Sequence, residues 1–149
     1  MKKIVITGAL GYIGTELCKL YSGFSWKYEV VAIDNRFISE RVNELKRRKI
    51  KFIQADILNL ESIKPFIEGA EIVHHLAGIT DVAYVKKESI KVKDELIIKV
   101  AIEGTANVLK SMNAEATIVF PSTHVVFEGL KEQKENLDEN EKTNTFLAY

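Results

Sequence analysis

The sequence predicts an α/β domain built on a doubly wound parallel sheet. Three observations predict it. Strand and helix signals alternate from the first residue onward. The strand segments are short, apolar and rich in β-branched residues, as fits strands covered on both faces. A glycine-rich turn joins the first strand to the first helix. Such alternation argues for helices on both sides of a parallel sheet, and right-handed crossovers then leave few topologies.

Ile4-Val5-Ile6, closed by Thr7-Gly8, reads as the first strand. Ile13, Leu17, Leu20 and Tyr21 recur at helical spacing and predict a helix over Tyr12–Tyr21 with those side chains inward. Glu29–Ile33 is the second strand and Arg41–Lys49 a charged helix. Lys51–Gln54 is the third strand, followed by a helix over Leu60–Glu68 that Pro65 interrupts near its start. Glu71–Leu76 is the fourth strand. Ile90–Met112 forms one long helix, with Ile97, Val100, Ala101, Thr105 and Val108 along one side, and Ala116–Phe120 the fifth strand. From Gly129 to Thr145 the chain is polar and reads as a long loop, a kind of connection that is usually functional. Phe146-Leu147-Ala148-Tyr149 starts a further helix.

With 149 residues and 46% hydrophobic content, the chain is one domain with a real core. Lys+Arg and Asp+Glu both number 21, so no charge footprint for nucleic acid or an anionic membrane exists. Lys46-Arg47-Arg48-Lys49 reads as a solvated helix end. The single cysteine, Cys18, excludes an internal disulfide and reads as a buried thiol. No apolar stretch approaches the ~18 residues of a membrane span, and no signal-peptide cleavage site follows the start. A cytoplasmic protein is expected. His74 and His75 are adjacent, face opposite sides of a strand, and cannot share a metal ion. A structural role is expected for both and for His124, and no metal site is expected.

The turn Thr7-Gly8-Ala9-Leu10-Gly11-Tyr12-Ile13-Gly14 has G-x-x-G-x-x-G spacing. Gly8 permits an unusual φ. Gly11 has no side chain to hold a pyrophosphate away from the backbone, and Gly14 lets the helix sit close to the sheet. The helix N-terminus then offers amide donors and partial positive charge to phosphates. Asp34 ends the second strand 20 residues after Gly14, where a carboxylate accepts from both hydroxyls of an adenosine ribose. A 2′-phosphate there would meet a fixed negative charge, so Asp34 favours NAD over NADP. Arg36, in contrast, is a residue able to accommodate that phosphate.

Further pieces follow in order: Asp34-Asn35, Ala55-Asp56-Ile57, His75-Leu76-Ala77-Gly78, Gly104-Thr105-Ala106-Asn107-Val108-Leu109, Ser122-Thr123 with Val126-Phe127, and Tyr149. Together with the glycine turn they resemble the extended short-chain dehydrogenase/reductase superfamily. The resemblance is to its NAD-dependent nucleotide-sugar epimerases and dehydratases, in particular enzymes like UDP-glucose 4-epimerase. It implies a Rossmann domain, with Tyr12 and Ile13 on the pyrophosphate through their backbone and Asp34 and Asn35 on the adenosine ribose. It also implies Asp56 and Ile57 at the adenine, and Leu76, Ala77 and Gly78 along the cofactor. Thr123 matches the catalytic Ser/Thr of these enzymes, and Tyr149 matches the tyrosine of their Tyr-x-x-x-Lys motif. The lysine would fall four residues past Tyr149. The chain is therefore expected to be the N-terminal, NAD-binding portion of a larger enzyme, truncated before the last strands and the substrate-binding part. The resemblance further implies a homodimer in the full-length form.

The implied chemistry suits these residue types. A phenol titrates near ~10 and needs a neighbouring cation to act as a base at neutral pH. Tyr149 would take a proton from a sugar hydroxyl while Thr123 holds the same oxygen. Three readings stay open. The first is an epimerase or dehydratase of nucleotide sugars. The second is an NAD(P)-linked reductase of a non-sugar carbonyl. The third is a dinucleotide-binding module without chemistry.

Overall fold

The computed structural model describes residues 1–79, 91–123, 138–140 and 142–143. Strands and helices alternate as β1 (Lys2–Thr7), α1 (Tyr12–Ser22), β2 (Tyr28–Asp34), α2 (Ser39–Arg47), β3 (Lys51–Gln54), α3 (Leu60–Ile67) and β4 (Ile72–His75). Then come α4 (Lys91–Lys99), a π-helical turn (Val100–Gly104), α5 (Thr105–Ser111) and β5 (Thr117–Val119). All strand pairs are parallel, in the order β3-β2-β1-β4-β5. The chain winds one way from β1 to β3 and the other way from β4 to β5. The doubly wound sheet expected from the sequence is the one observed.

Alternation along the strands divides the core in two. Ile4, Ile6, Val30 and Ala32 face Cys18, Val42 and Leu45 of α1 and α2. Val5, Val31, Ile33 and Val73 face Ile63, Ile67 and Val108 of α3 and α5. Register brings Val5 level with Val31 on one side and Val73 on the other. Each fully buried aliphatic side chain here contributes about 1.5–3 kcal/mol.

Three local expectations need correction. In α1, Leu17 and Tyr21 pack partly buried against the core beside the buried Gly14 and Cys18, but Ile13 is 56% and Leu20 59% exposed, so only half of the apolar stripe faces inward. Gly14 and Cys18 are the fully buried part of that face, which a reading weighted by large apolar side chains misses. In α3, Pro65 interrupts nothing; it is the sixth of eight residues in an unbroken helix whose Asn59 cap accepts from the Ser62 amide at 3.2 Å. The long helix is not uniformly α, because Val100–Gly104 is a π turn.

The end of α2 is also earlier than expected, for a visible reason. Lys49 takes φ 58, its amide donates to the Lys46 carbonyl at 2.9 Å, and the Ile50 amide donates to the Leu45 carbonyl at 3.0 Å. This is a Schellman ending, sealed by Ile50 beside Leu45 in the core. Glu44 accepts from Arg47 and Arg48, so much of the basic cluster is a surface ion-pair network. Among the described residues no helix is long and apolar enough to cross a membrane. The polar stretch over Gly129–Thr145 lies mostly outside the described residues.

Candidate functional site

The site forms where the strands end. In an open parallel sheet the crevice lies beyond the carboxyl ends, at the point where the winding direction reverses. That point is between β1 and β4, and the glycine turn sits on it. Gly8 has φ 68, and the Gly11 amide closes the turn on the Gly8 carbonyl at 2.9 Å. The Ala9 amide reaches the Ile33 carbonyl at 3.1 Å, tying the turn to β2. Gly11 is the N-cap of α1 and offers no side chain to its first amides, so these donors have no partner within the helix. Tyr12 projects outward at 82% exposure.

The three glycines differ in surroundings. A Cβ at Gly8 would lie 2.7 Å from the Ala77 nitrogen and the Leu76 carbonyl, and one at Gly14 would lie 2.5 Å from the Gly8 carbonyl oxygen. A Cβ at Gly11 would meet only the Gly8 carbonyl oxygen, at 3.1 Å. Gly8 and Gly14 are thus required by the protein's own packing. The open side at Gly11 faces away from the fold, as a cradle for a ligand requires.

Asp34 ends β2 with its side chain 3% exposed. Oδ2 accepts from the Leu10 amide at 2.9 Å and from Arg36 Nη2 at 3.0 Å. Oδ1 accepts from the Arg36 amide at 3.0 Å and from Arg36 Nε at 2.9 Å. Burial pushes this carboxyl's pKa up. The Arg36 side chain, the Arg36 and Leu10 amides and the guanidinium charge outweigh it and hold the group below the ordinary value. Arg41 donates from Nη1 to the Leu10 carbonyl, so both polar groups of Leu10 are fixed.

Asn35 is exposed and reaches Asp56 through Nδ2 at 3.4 Å. Asp56 also accepts from the Leu58 amide at 2.9 Å. Ile57 is buried, with its carbonyl held by Asn107 Nδ2 at 3.0 Å and its side chain against Gly104. Asp34, Asn35, Asp56 and Ile57 therefore form one continuous corner beside the glycine turn.

Beyond β4, a hydrogen-bonded line crosses the sheet. The Ala77 amide donates to Thr7 Oγ1 at 3.2 Å, Thr7 Oγ1 meets His75 Nδ1 at 2.8 Å, and His75 Nε2 meets Thr105 Oγ1 at 3.0 Å. His74 faces the other way, with Nε2 2.8 Å from the Tyr21 hydroxyl. Both rings are satisfied by neighbours, in keeping with the structural role expected of them. Burial lowers the pKa of each. Leu76, Ala77 and Gly78 follow β4 and lie at the mouth of the crevice. The Cys18 thiol is buried, which pushes it up to about 12. Among the described residues no cluster of three metal-binding side chains occurs.

The glycine turn, the Asp34 corner and the β4 exit thus converge. Thr123 lies just past β5 in the described residues, whereas Tyr149 and His124 lie outside them. Sequence reasoning quoted Thr7, Thr105 and Asn107 within motifs without giving them a role here, and did not single out Arg41. Their partners lie between 30 and 70 residues away, a separation that carries no local signal.

Residues 5–149 match the model of the 3-beta hydroxysteroid dehydrogenase/isomerase family. The chain belongs to that family. It thereby falls within the superfamily of short-chain dehydrogenases/reductases and NAD-dependent epimerases that its motifs resemble. An uncharacterized protein, 052L, of Frog virus 3 is 31% identical over 110 residues, covering 73% of this chain and 29% of that protein. UDP-glucose 4-epimerase of Bacillus subtilis is 36% identical over 85 residues, covering 51% of this chain and 24% of the enzyme. The crystal structure of UDP-glucose-4-epimerase from Stenotrophomonas maltophila, with bound NAD and formylated UDP-arabinopyranose, superposes with a TM-score of 0.77 at 22% identity. That match covers 100% of this family member and 44% of the epimerase chain, and shows the fold. The chain spans less than half the length of each of these relatives.

Proposed function

We propose that this chain carries the NAD-binding part of an epimerase or dehydratase that acts on a nucleotide sugar by transient oxidation of a sugar hydroxyl. The observation behind the cofactor reading is the corner where the open N-terminus of α1 meets the Asp34 carboxylate, bridged by Leu10. One end suits a pyrophosphate and the other a ribose diol, and family membership supports the pairing. Gly8, Gly11 and Gly14 shape the turn, and the amides of Tyr12 and Ile13 bind phosphate oxygens. Asp34 and Asn35 take the ribose, Asp56 and Ile57 flank the adenine, and Leu76, Ala77 and Gly78 border the rest of the dinucleotide.

When bound, NAD supplies the hydride acceptor. The chain supplies the proton chemistry. Tyr149 as phenolate accepts the hydroxyl proton, and Thr123 donates a hydrogen bond to the same oxygen as it becomes a carbonyl. The B. subtilis relative's name supports the sugar class. The family description, which names hydroxysteroids, favours a second reading, an NAD(P)-linked dehydrogenase of a non-sugar alcohol.

Calorimetric titration of the protein with NAD+ and with NADP+ tests the cofactor reading. NAD+ is expected to bind more tightly, and Asp34→Asn to weaken it by about tenfold, as loss of a charged hydrogen-bond partner does. NADP+ preference would shift the weight to the second reading. For the reaction, a longer protein that joins this NAD-binding part to a substrate-binding part is expected to interconvert UDP-hexoses without accumulation of NADH. Stoichiometric NADH formed from a steroid alcohol instead would favour the dehydrogenase.

A further inference from the structure

An ionised carboxylate has about four acceptor positions, and the protein itself fills all four at Asp34. Two are taken by main-chain amides, Leu10 at 2.9 Å and Arg36 at 3.0 Å. The other two are taken by the Arg36 guanidinium, through Nε at 2.9 Å and Nη2 at 3.0 Å. The amides belong to the turn and the strand end and stay in place when a ligand arrives. The guanidinium belongs to a side chain that is 55% exposed, on a carboxylate side chain that is 3% exposed. Arg36 therefore covers Asp34 from the solvent side, where a ribose must approach.

We infer that Arg36 is a displaceable plug of the ribose subsite, and that dinucleotide binding exchanges its two hydrogen bonds for those of the two ribose hydroxyls. This deepens the NAD reading and rests on it. The exchange conserves the number of bonds to Asp34 and releases a charged side chain to water. Its cost is that of opening a half-exposed ion pair. A ligand bound to a state that must first be opened has its affinity reduced by the closed fraction. Arg36 also neutralises Asp34 while it stays in place. That softens the repulsion a 2′-phosphate would meet from a bare carboxylate. Removing Arg36 is then expected to move the two dinucleotides in opposite directions.

The test is calorimetric titration of wild-type protein, Arg36→Ala and Arg36→Gln with NAD+ and NADP+, with the fold checked by circular dichroism. The glutamine variant drops the charge and keeps a polar side chain, which guards against a local collapse at position 36. Both variants are expected to bind NAD+ about two- to fivefold more tightly, the range an exposed ion pair represents, and to bind NADP+ more weakly. Equal weakening of both dinucleotides would make Arg36 a ligand contact and overturn the plug. Unchanged affinities would overturn it as well. Failure of a folded wild-type protein to bind either dinucleotide would overturn the cofactor reading itself. That outcome is distinct from the other two.

Discussion

A methyl group added at Gly8 would sit 2.7 Å from backbone atoms of Leu76 and Ala77, at a φ of 68 that side chains resist. Neither obstacle has a flexible end that could yield. Gly8→Ala is expected to cost about 3 kcal/mol or more in stability. Gly14→Ala meets the Gly8 carbonyl at 2.5 Å and is expected to lower stability by about 1–3 kcal/mol. Gly11→Ala differs. Its new atom would touch only the Gly8 carbonyl, at 3.1 Å, on an extended backbone with φ −73. It is expected to fold with a loss of about 1 kcal/mol or less, yet to bind NAD+ poorly, because the methyl occupies the open side of the cradle. Thermal unfolding and calorimetry on the three variants separate packing from binding. Equal loss of binding and of stability in Gly11→Ala would show that its role is packing too.

Between Lys91 and Ser111, the helix is interrupted by the π turn at Val100–Gly104. A π segment places one extra residue in the helix and changes which side chains face inward on either side of it; such turns recur at functional sites. Here Ile97 before it and Val108 after it are both buried, and Gly104 within it lets Ile57 approach. A Cβ at Gly104 would crowd Ile57 Cδ1, the far end of a side chain able to shift. Gly104→Ala gains up to ~1 kcal/mol of helix propensity and pays overpacking of ~1–3 kcal/mol. The expected net is a loss of about 1 kcal/mol by thermal unfolding, with weaker NAD+ binding because Ile57 is pushed toward the proposed adenine position. Unaltered binding would detach Ile57 from the site. Periodicity reads the buried strands and the helices on either side, since each is apolar on a regular repeat. It does not read this turn, because one inserted residue within 21 leaves the count of apolar positions nearly unchanged. Nor does it read the most buried part of α1, Gly14 and Cys18, which no large side chain marks.

At the scale of the molecule, both helix layers are tied to one sheet by a few buried polar groups, and their protonation contributes to its acid stability. The fold was legible because fully covered strands and the glycine turn leave local signatures. The spacing from Gly14 to Asp34 located the corner as well. The pairing of Asp34 with Arg36 was not legible: the sequence offered the arginine only as a residue able to accommodate a 2′-phosphate, and the geometry sets it on the carboxylate. His74, toward α1, and His75, toward α5, both have pKa values lowered by burial. Unfolded histidine binds its proton near ~6.5, so between that value and the lower folded values the unfolded chain holds more protons. Stability from these two groups is therefore full above ~6.5 and declines as pH falls below it. Asp34, with its folded value also lowered, adds a second decline below ~4, where the unfolded carboxylate takes up its proton first. Urea midpoints measured from pH 8 down to 3.5 are expected to fall in these two stages. His75→Gln is expected to lower stability by about 1–3 kcal/mol at every pH for the broken line between Thr7 and Thr105, seen as a lower midpoint, and to flatten the first stage. A midpoint that stays level from pH 7.5 to 5.5 in the wild type would show that the two histidines take up protons in the folded state as readily as in the unfolded one. Asp34→Asn is expected to shrink the second stage, to which Glu44 with its lowered pKa also contributes, and to leave the first.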